Sequence, residues 1–334
     1  MARSKKKMNF FFASPNSKSQ LNELLDKGDC FPLHIVQHLT TSCNHSCNFC
    51  SNYYKLFGKK LNEQAETSKI LSRFDEFEDI GIEKLIISGG GEPLVHPDVE
   101  NILRYANKKS FDLSFYTNLD LELQESTIEE LSKSKVGVNI NTTDPYLYAC
   151  SRGKNADINR VKKNIKKLSY GGGNPTGLVI VRDDTANTLE KTLNDLGEIG
   201  VEEIVVSPAF DLSYPDSESA GKKTHRELER LSKMNNKKVK ILPKLDKSAK
   251  DRGETFCKSY YLDITIGADS RVYPCCLTSY NSEFELLDLK KYCSFIEAWK
   301  SKERKDNFSN FKTDCDFCWF APVNKILLEK WQTK

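Results

Sequence analysis

Cys43, Cys47 and Cys50 stand in the run Thr41-Ser42-Cys43-Asn44-His45-Ser46-Cys47-Asn48-Phe49-Cys50. The C-x3-C-x2-C spacing puts three thiolates on one short loop, and closely spaced Cys residues hold iron–sulfur clusters. Three protein ligands on a four-iron cube leave the fourth iron open to a substrate or cofactor. Zinc is the competing reading, because Zn²⁺ also takes thiolates and His45 could supply a fourth ligand. The position of His45 between Cys43 and Cys47 strains a tetrahedral closure, which favours the cluster. A disulfide framework belongs to small secreted chains, and at 334 residues this is not one.

A second group of thiols lies far downstream. Six of the eleven Cys, namely Cys257, Cys275, Cys276, Cys293, Cys315 and Cys318, fall in the last quarter of the chain. Strand-like runs at 260–266 and 271–274 flank Gly267-Ala268-Asp269-Ser270 and predict a hairpin. Its open end would bring Cys257 and Cys275 together, and Cys315-x2-Cys318 could complete a four-thiolate site. By itself this set favours a zinc ribbon. Cys276 could exchange with Cys275, Cys293 could ligate or pack as a small apolar residue, and Cys30 reads as structural.

These loops need a scaffold. Strand-like runs occupy residues 33–40, 84–88, 112–117, 136–142, 178–182 and 203–207, each rich in β-branched or aromatic residues and bounded by turn formers. Between them apolar residues recur with helical spacing: Ile70, Phe74, Phe77 and Ile80; Val99, Ile102, Leu103 and Ala106; Ile158, Val161, Ile165 and Leu168; Leu189, Leu193 and Leu196. Repeated strand–helix units imply parallel strands joined by right-handed crossovers. The expected fold is α/β, a partial (β/α)6 TIM-like barrel with a small C-terminal β-hairpin/helix unit for the second thiol set. The chain divides into an extension (1–30), a barrel (31–235), and a linker with the auxiliary unit (236–334). A polar, Lys-rich stretch, 217–250, leads from the barrel to the C-terminal segment. In full barrels the chemistry sits at the C-terminal ends of the strands, and the cysteine loop follows the first strand.

The aromatic Phe49 before Cys50 and the preceding strand resemble the signature of the radical S-adenosylmethionine (SAM) enzymes. Gly89-Gly90-Gly91-Glu92-Pro93, one strand later, resembles that family's Gly-Gly-Glu-Pro motif. The C-terminal thiols resemble the auxiliary-cluster domain of its SPASM/twitch branch. The resemblance implies a SAM-binding [4Fe–4S] cluster on Cys43, Cys47 and Cys50, and an auxiliary [4Fe–4S] cluster on Cys257, Cys275, Cys315 and Cys318. It further implies that Phe49 lies near the adenine and that Gly90, Gly91 and Glu92 meet the methionyl end of SAM. Thr117 and Asn118 resemble the family's Thr-Asn-Gly turn, although Leu119 replaces the Gly. Asn139 and Asn141 stand where a ribose-binding residue is often found. Arg152, with altered spacing, and Arg182 are further candidates for SAM, Arg182 through a bidentate grip on its carboxylate.

The implied chemistry is reductive cleavage of SAM to a 5′-deoxyadenosyl radical that removes hydrogen from a substrate C–H bond. An electron donor of the flavodoxin or ferredoxin type would supply the electron. A small sugar or aminocyclitol is the favoured substrate, oxidised or epimerised, because no peptide-recognition domain is evident before residue 30. A ribosomally made peptide is the alternative, and a non-catalytic zinc or iron–sulfur scaffold is the third reading. Cys150, just after the fourth strand, is a candidate hydrogen donor for an epimerisation. Net charge +3 gives no sign of a nucleic-acid partner. No apolar run reaches the ~20 residues of a membrane span, and an odd Cys count without an export signal points to the cytoplasm.

Overall fold

The computed structural model describes residues 15–50, 61–209, 222–233, 239–241, 257–311, 324–325 and 327–329. Cys315 and Cys318 lie outside them. Strands β1 (His34–His38), β2 (Lys84–Ser88), β3 (Asp112–Thr117), β4 (Lys135–Ile140), β5 (Thr176–Val181) and β6 (Glu203–Pro208) form the expected parallel succession. Helices α1 (Pro15–Lys27), α2 (Thr67–Asp79), α3 (Val99–Ala106), α4 (Glu125–Ser132), α5 (Pro145–Arg152), α6 (Ile158–Tyr170) and α7 (Leu189–Glu198) precede or connect them. Strand alternation divides the sheet residue by residue. Leu85, Ile87, Phe115, Val138 and Val179 are buried in one core with Phe74 and Phe77 of α2, Ile102 of α3 and Ile165 of α6. Their alternates Ile86, Leu178, Ile180 and Val205 stay partly exposed on the opposite face.

Two features amend the expected organisation. The polar stretch contains α8 (Lys222–Lys233), and the part read as linker holds a further parallel strand, β7 (Val239–Ile241), paired to β6. The hairpin is present as β8 (Asp263–Ile266) and β9 (Arg271–Tyr273), followed by a short β10 (Leu287–Asp288), but β8 also pairs in parallel with β1. The result is one ten-stranded sheet in the order β10-β9-β8-β1-β2-β3-β4-β5-β6-β7. Among the described residues it is a partial barrel with open edges, not closed by hydrogen bonds.

Residues 295–308 clamp the segment just before β1. In α9 (Phe295–Lys300), Trp299 Nε1 donates to Cys30 O at 2.8 Å. In α10 (Lys302–Asn310), Arg304 grips Asp29 with both nitrogens at 2.6 Å and stacks on Trp299 and Phe308. Cys30 is buried there, and burial pushes its thiol far above the usual range, as suits a packing residue. No helix among the described residues is long and apolar enough to cross a membrane.

Candidate active site at the strand ends

The cysteine loop leaves β1 and is fixed by backbone contacts on two sides. On one side Gly91 N donates to Thr40 O at 2.8 Å and Glu92 N to Ser42 O at 2.9 Å. A Cβ on Gly91 would sit 1.9 Å from Ser42 O, so only glycine permits this approach. On the other side Ser46 N donates to Arg152 O and Asn48 N to Ser151 O, at 2.9 and 3.0 Å, docking the loop on the C-terminal end of α5. The chain leaves α5 through Gly153 at φ +106°, a conformation suited to glycine. Cys43, Cys47 and Cys50 remain partly exposed on the loop held in this way.

Three thiolates on one anchored loop are a donor set suited to a cluster. Among the described residues no three His, Cys, Asp or Glu side chains converge on one metal position. Ligands of a cube each meet a different iron, whereas zinc needs all its donors at one point. His45, the fourth ligand of the zinc reading, is buried and bonded through Nε2 to Asp120 Oδ2 at 2.7 Å.

The glycine-rich turn and the β3 end are tied together by Glu92. Its carboxylate accepts from Leu94 N (3.1 Å), Thr117 Oγ1 (2.6 Å) and Asn118 N (2.7 Å). Asn118 Nδ2 in turn donates to Asn44 Oδ1 at 2.9 Å. Leu119, standing where the related turn has Gly, takes φ +56°, so the left-handed geometry is kept with a leucine. Burial pushes the Glu92 carboxyl up to about 7, against three donors and the Arg152 charge that pull it down. A folded-state value above the unfolded one means that protons favour the folded form. The stabilisation is full at low pH and is lost as pH rises through about 7. Wild type should therefore lose about 2–3 kcal/mol relative to Glu92→Gln between pH 4.5 and 8, read from denaturant curves of the metal-free protein. A flat difference would remove the buried carboxyl as its cause.

Phe49 lies between two guanidiniums, with Arg152 Cζ 5.2 Å and Arg182 Cζ 5.3 Å from its ring centroid. Arg152 is 2% exposed; Nε donates to Asn141 Oδ1, and Nη2 to Asn139 O and Oδ1, at 2.8–3.0 Å. Asn139 and Asn141 are thus engaged in holding Arg152. No carboxylate among the described residues lies within ion-pair distance of it. Arg182, the expected carboxylate partner, already spends its fork on Asp184 at 2.9 and 3.0 Å.

Cys150 falls in the last turn of α5 and not in a loop. Its side chain is exposed beside Tyr146, while Tyr148, Ser151 and Arg152 are buried. At the hairpin's open end Cys257 and Cys275 lie close enough that a charge on the first raises the pKa of the second. Burial pushes Cys275 up to about 11, so a metal would have to displace its proton. Cys276 and Cys293 are exposed.

Sequence reasoning missed Tyr280. Its hydroxyl stands 3.0 Å from His38 Nδ1 and accepts from Ala268 N at 3.1 Å. A Cβ on Gly90 would meet that hydroxyl at 2.5 Å. The segment after the hairpin therefore presses on the glycine-rich turn, from φ +66° at Tyr280. No local pattern signals a contact of this sequence separation.

Comparison with known proteins agrees with this geometry. Residues 38–196 match the Radical SAM superfamily. A probable GTP 3′,8-cyclase of Methanococcus aeolicus is 28% identical over 170 residues, 49% of this chain and 55% of that one. The antilisterial bacteriocin subtilosin biosynthesis protein AlbA of Bacillus subtilis is 31% identical over 148 residues, 42% and 31% of the two chains. The matched part thus spans about half or less of these curated relatives. Streptococcus suis SuiB bound to its precursor peptide SuiA superposes with a TM-score of 0.67 at 17% identity, over 90% of this chain and 72% of that one, a likeness of fold. Its cysteine loop, its parallel sheet and the match over residues 38–196 show a radical SAM domain in this chain, and enzymes with that domain use a [4Fe–4S] cluster and SAM.

Proposed function

We propose that the chain matures a ribosomally made peptide by radical SAM chemistry. The observation that carries the reading is the anchored cysteine loop beside a buried guanidinium that makes no ion pair among the described residues. The peptide half is supported by similarity to AlbA and to the PqqA peptide cyclase of Ruegeria pomeroyi, 32% identical over 105 residues. This reverses the preference for a sugar or aminocyclitol, which stands as the second reading because the GTP cyclases act on a small molecule by name.

Cys43, Cys47 and Cys50 would hold the cluster, Gly90 and Gly91 the methionyl end of SAM, and Phe49 its adenine. Arg152 suits the SAM carboxylate better than Arg182, because no carboxylate among the described residues lies within ion-pair distance of it, whereas Arg182 is bonded to Asp184. Thr117, Asn118, Asn139 and Asn141 act behind these groups, through Glu92 and Arg152. When bound, cluster and SAM supply one-electron cleavage to a 5′-deoxyadenosyl radical. The protein orients the C–H bond and excludes competing reactions. Residues 236–334 would hold an auxiliary [4Fe–4S] cluster on Cys257, Cys275, Cys315 and Cys318, which fits SPASM-type neighbours and suits net oxidation. A cytoplasmic location and a flavodoxin- or ferredoxin-type donor complete the reading.

Anaerobically reconstituted protein should convert SAM to 5′-deoxyadenosine under dithionite. With short peptides encoded beside its own gene, it should then remove two hydrogens per modification, read by mass. S-adenosylhomocysteine as the only product would refute the radical reading. Turnover of an amino sugar but of no peptide would refute the peptide half. In D2O, one deuterium gained by wild type and lost in Cys150→Ala would make the reaction an epimerisation, with Cys150 as donor.

A further inference from the structure

The part of the cysteine loop between Cys43 and Cys47 is gripped by one residue that the proposed chemistry does not use. The Asp120 carboxylate is fully buried and accepts three bonds: from His45 Nε2 (2.7 Å), Asp157 N (2.7 Å) and Arg160 Nε (2.6 Å). Its carbonyl also accepts from Asn44 Nδ2 at 2.7 Å. Leu119 at φ +56° makes the double grip possible, turning the chain between Asn118, which bonds Asn44, and Asp120. The buried His45 ring meets Tyr148 edge-on at 6.1 Å and 82°. Held there, His45 points its backbone N–H at Cys43 Sγ, with N and S 3.4 Å apart.

Hydrogen bonds to cluster sulfurs raise the reduction potential, because they stabilise the extra negative charge of the reduced state. Groups behind the ligands set those bonds. We propose that Asp120 is a positioning residue: by anchoring the His45 ring it holds the His45 N–H on Cys43 Sγ and so makes the SAM-binding cluster easier to reduce. The inference rests on the radical SAM reading. Asp120 touches neither ligand nor substrate in this role, and His45 acts through its backbone.

The test uses His45→Phe, which keeps a ring against Tyr148 but cannot bond the carboxylate, His45→Gln, which can still donate to it, and Asp120→Ala. Iron content and visible absorbance of the reconstituted, full-length variants report whether the cluster is present, and so test the underlying reading separately. Redox titration of the cluster tests the inference. The expected result is full cluster loading in His45→Phe with a more negative midpoint, a return towards wild type in His45→Gln, and no further shift when His45→Phe is added to Asp120→Ala. Metal-free His45→Phe should also exchange the residue-45 amide several-fold faster with D2O. An unchanged midpoint in loaded His45→Phe overturns the proposal, as does an additive double mutant. Should Asp120→Ala fail to fold, the two His45 variants decide alone.

Discussion

Replacing Cys43, Cys47 and Cys50 together with Ala should reduce 5′-deoxyadenosine formation to background. The reason is that the hard chemistry belongs to the cofactor and not to any side chain. The loop itself should survive, because its anchors are backbone bonds from Gly91, Glu92, Ser46 and Asn48 and the side chains of Asn44 and His45, none of them a thiol. The variant should therefore keep the thermal stability of the metal-free wild type while losing about four iron atoms per chain, with the auxiliary iron retained. Iron and sulfide analysis beside a SAM-cleavage assay measures both. Residual cleavage above background would move the SAM-binding iron elsewhere, and loss of all iron would mean that the two thiol sets are not independent.

Gly91→Ala is expected to disrupt the site with a single methyl group. The added carbon would lie 1.9 Å from Ser42 O and 2.6 Å from Thr41 C, both backbone atoms that cannot rotate away. Either the glycine-rich turn or the cysteine loop must shift, breaking the bonds Gly91 N to Thr40 O and Glu92 N to Ser42 O. A loss of roughly 3 kcal/mol or more is the scale for overpacking joined to broken buried bonds. SAM affinity should fall at least tenfold with it. The control is Gly197→Ala in α7, where an added Cβ meets nothing within 4 Å, and where about 0.5–1 kcal/mol of stabilisation is expected. Calorimetry and SAM titration of the two variants make the comparison. Equal behaviour would show that the turn has room the structure does not give it.

The barrel was readable because its strands alternate and its long helices repeat. Residues 84–88 and 112–117 were bounded as observed, and Ile70, Phe74 and Phe77 mark α2 without ambiguity. Elements with too few apolar residues were not readable. The polar α8 and the three-residue β7 look like linker on composition, and α4 buries only Ile128 and Leu131 as aliphatic residues. The helix holding Cys150 was missed although Asp144-Pro145 marks its start, with Asp144 capping Leu147 N. At the site, local motifs located the cysteine loop and the glycine turn. The partners that hold them are contacts at long sequence separation: His45 with Asp120 across 75 residues, and His38 with Tyr280 across 242. Nothing in a short window encodes such pairs, nor the hold that Asn139 and Asn141 keep on Arg152.

The pairing of β8 with β1 also dictates an order of events during synthesis. Gln37 donates to Ile266 across 229 residues, a stretch a ribosome translates in roughly 10–50 s. Until then β1, which carries the cysteine loop, has β2 on one edge and an unpaired row of amides and carbonyls on the other. Open edges of this kind invite association with other chains. The seat for the first cluster is consequently assembled in two stages, with its glycine side present early and its Tyr280 side arriving late. A nascent chain is thus exposed at the strand it most needs, although both direct anchors of the cysteine loop are already made, and only the Tyr280 contact on the glycine-rich turn comes late.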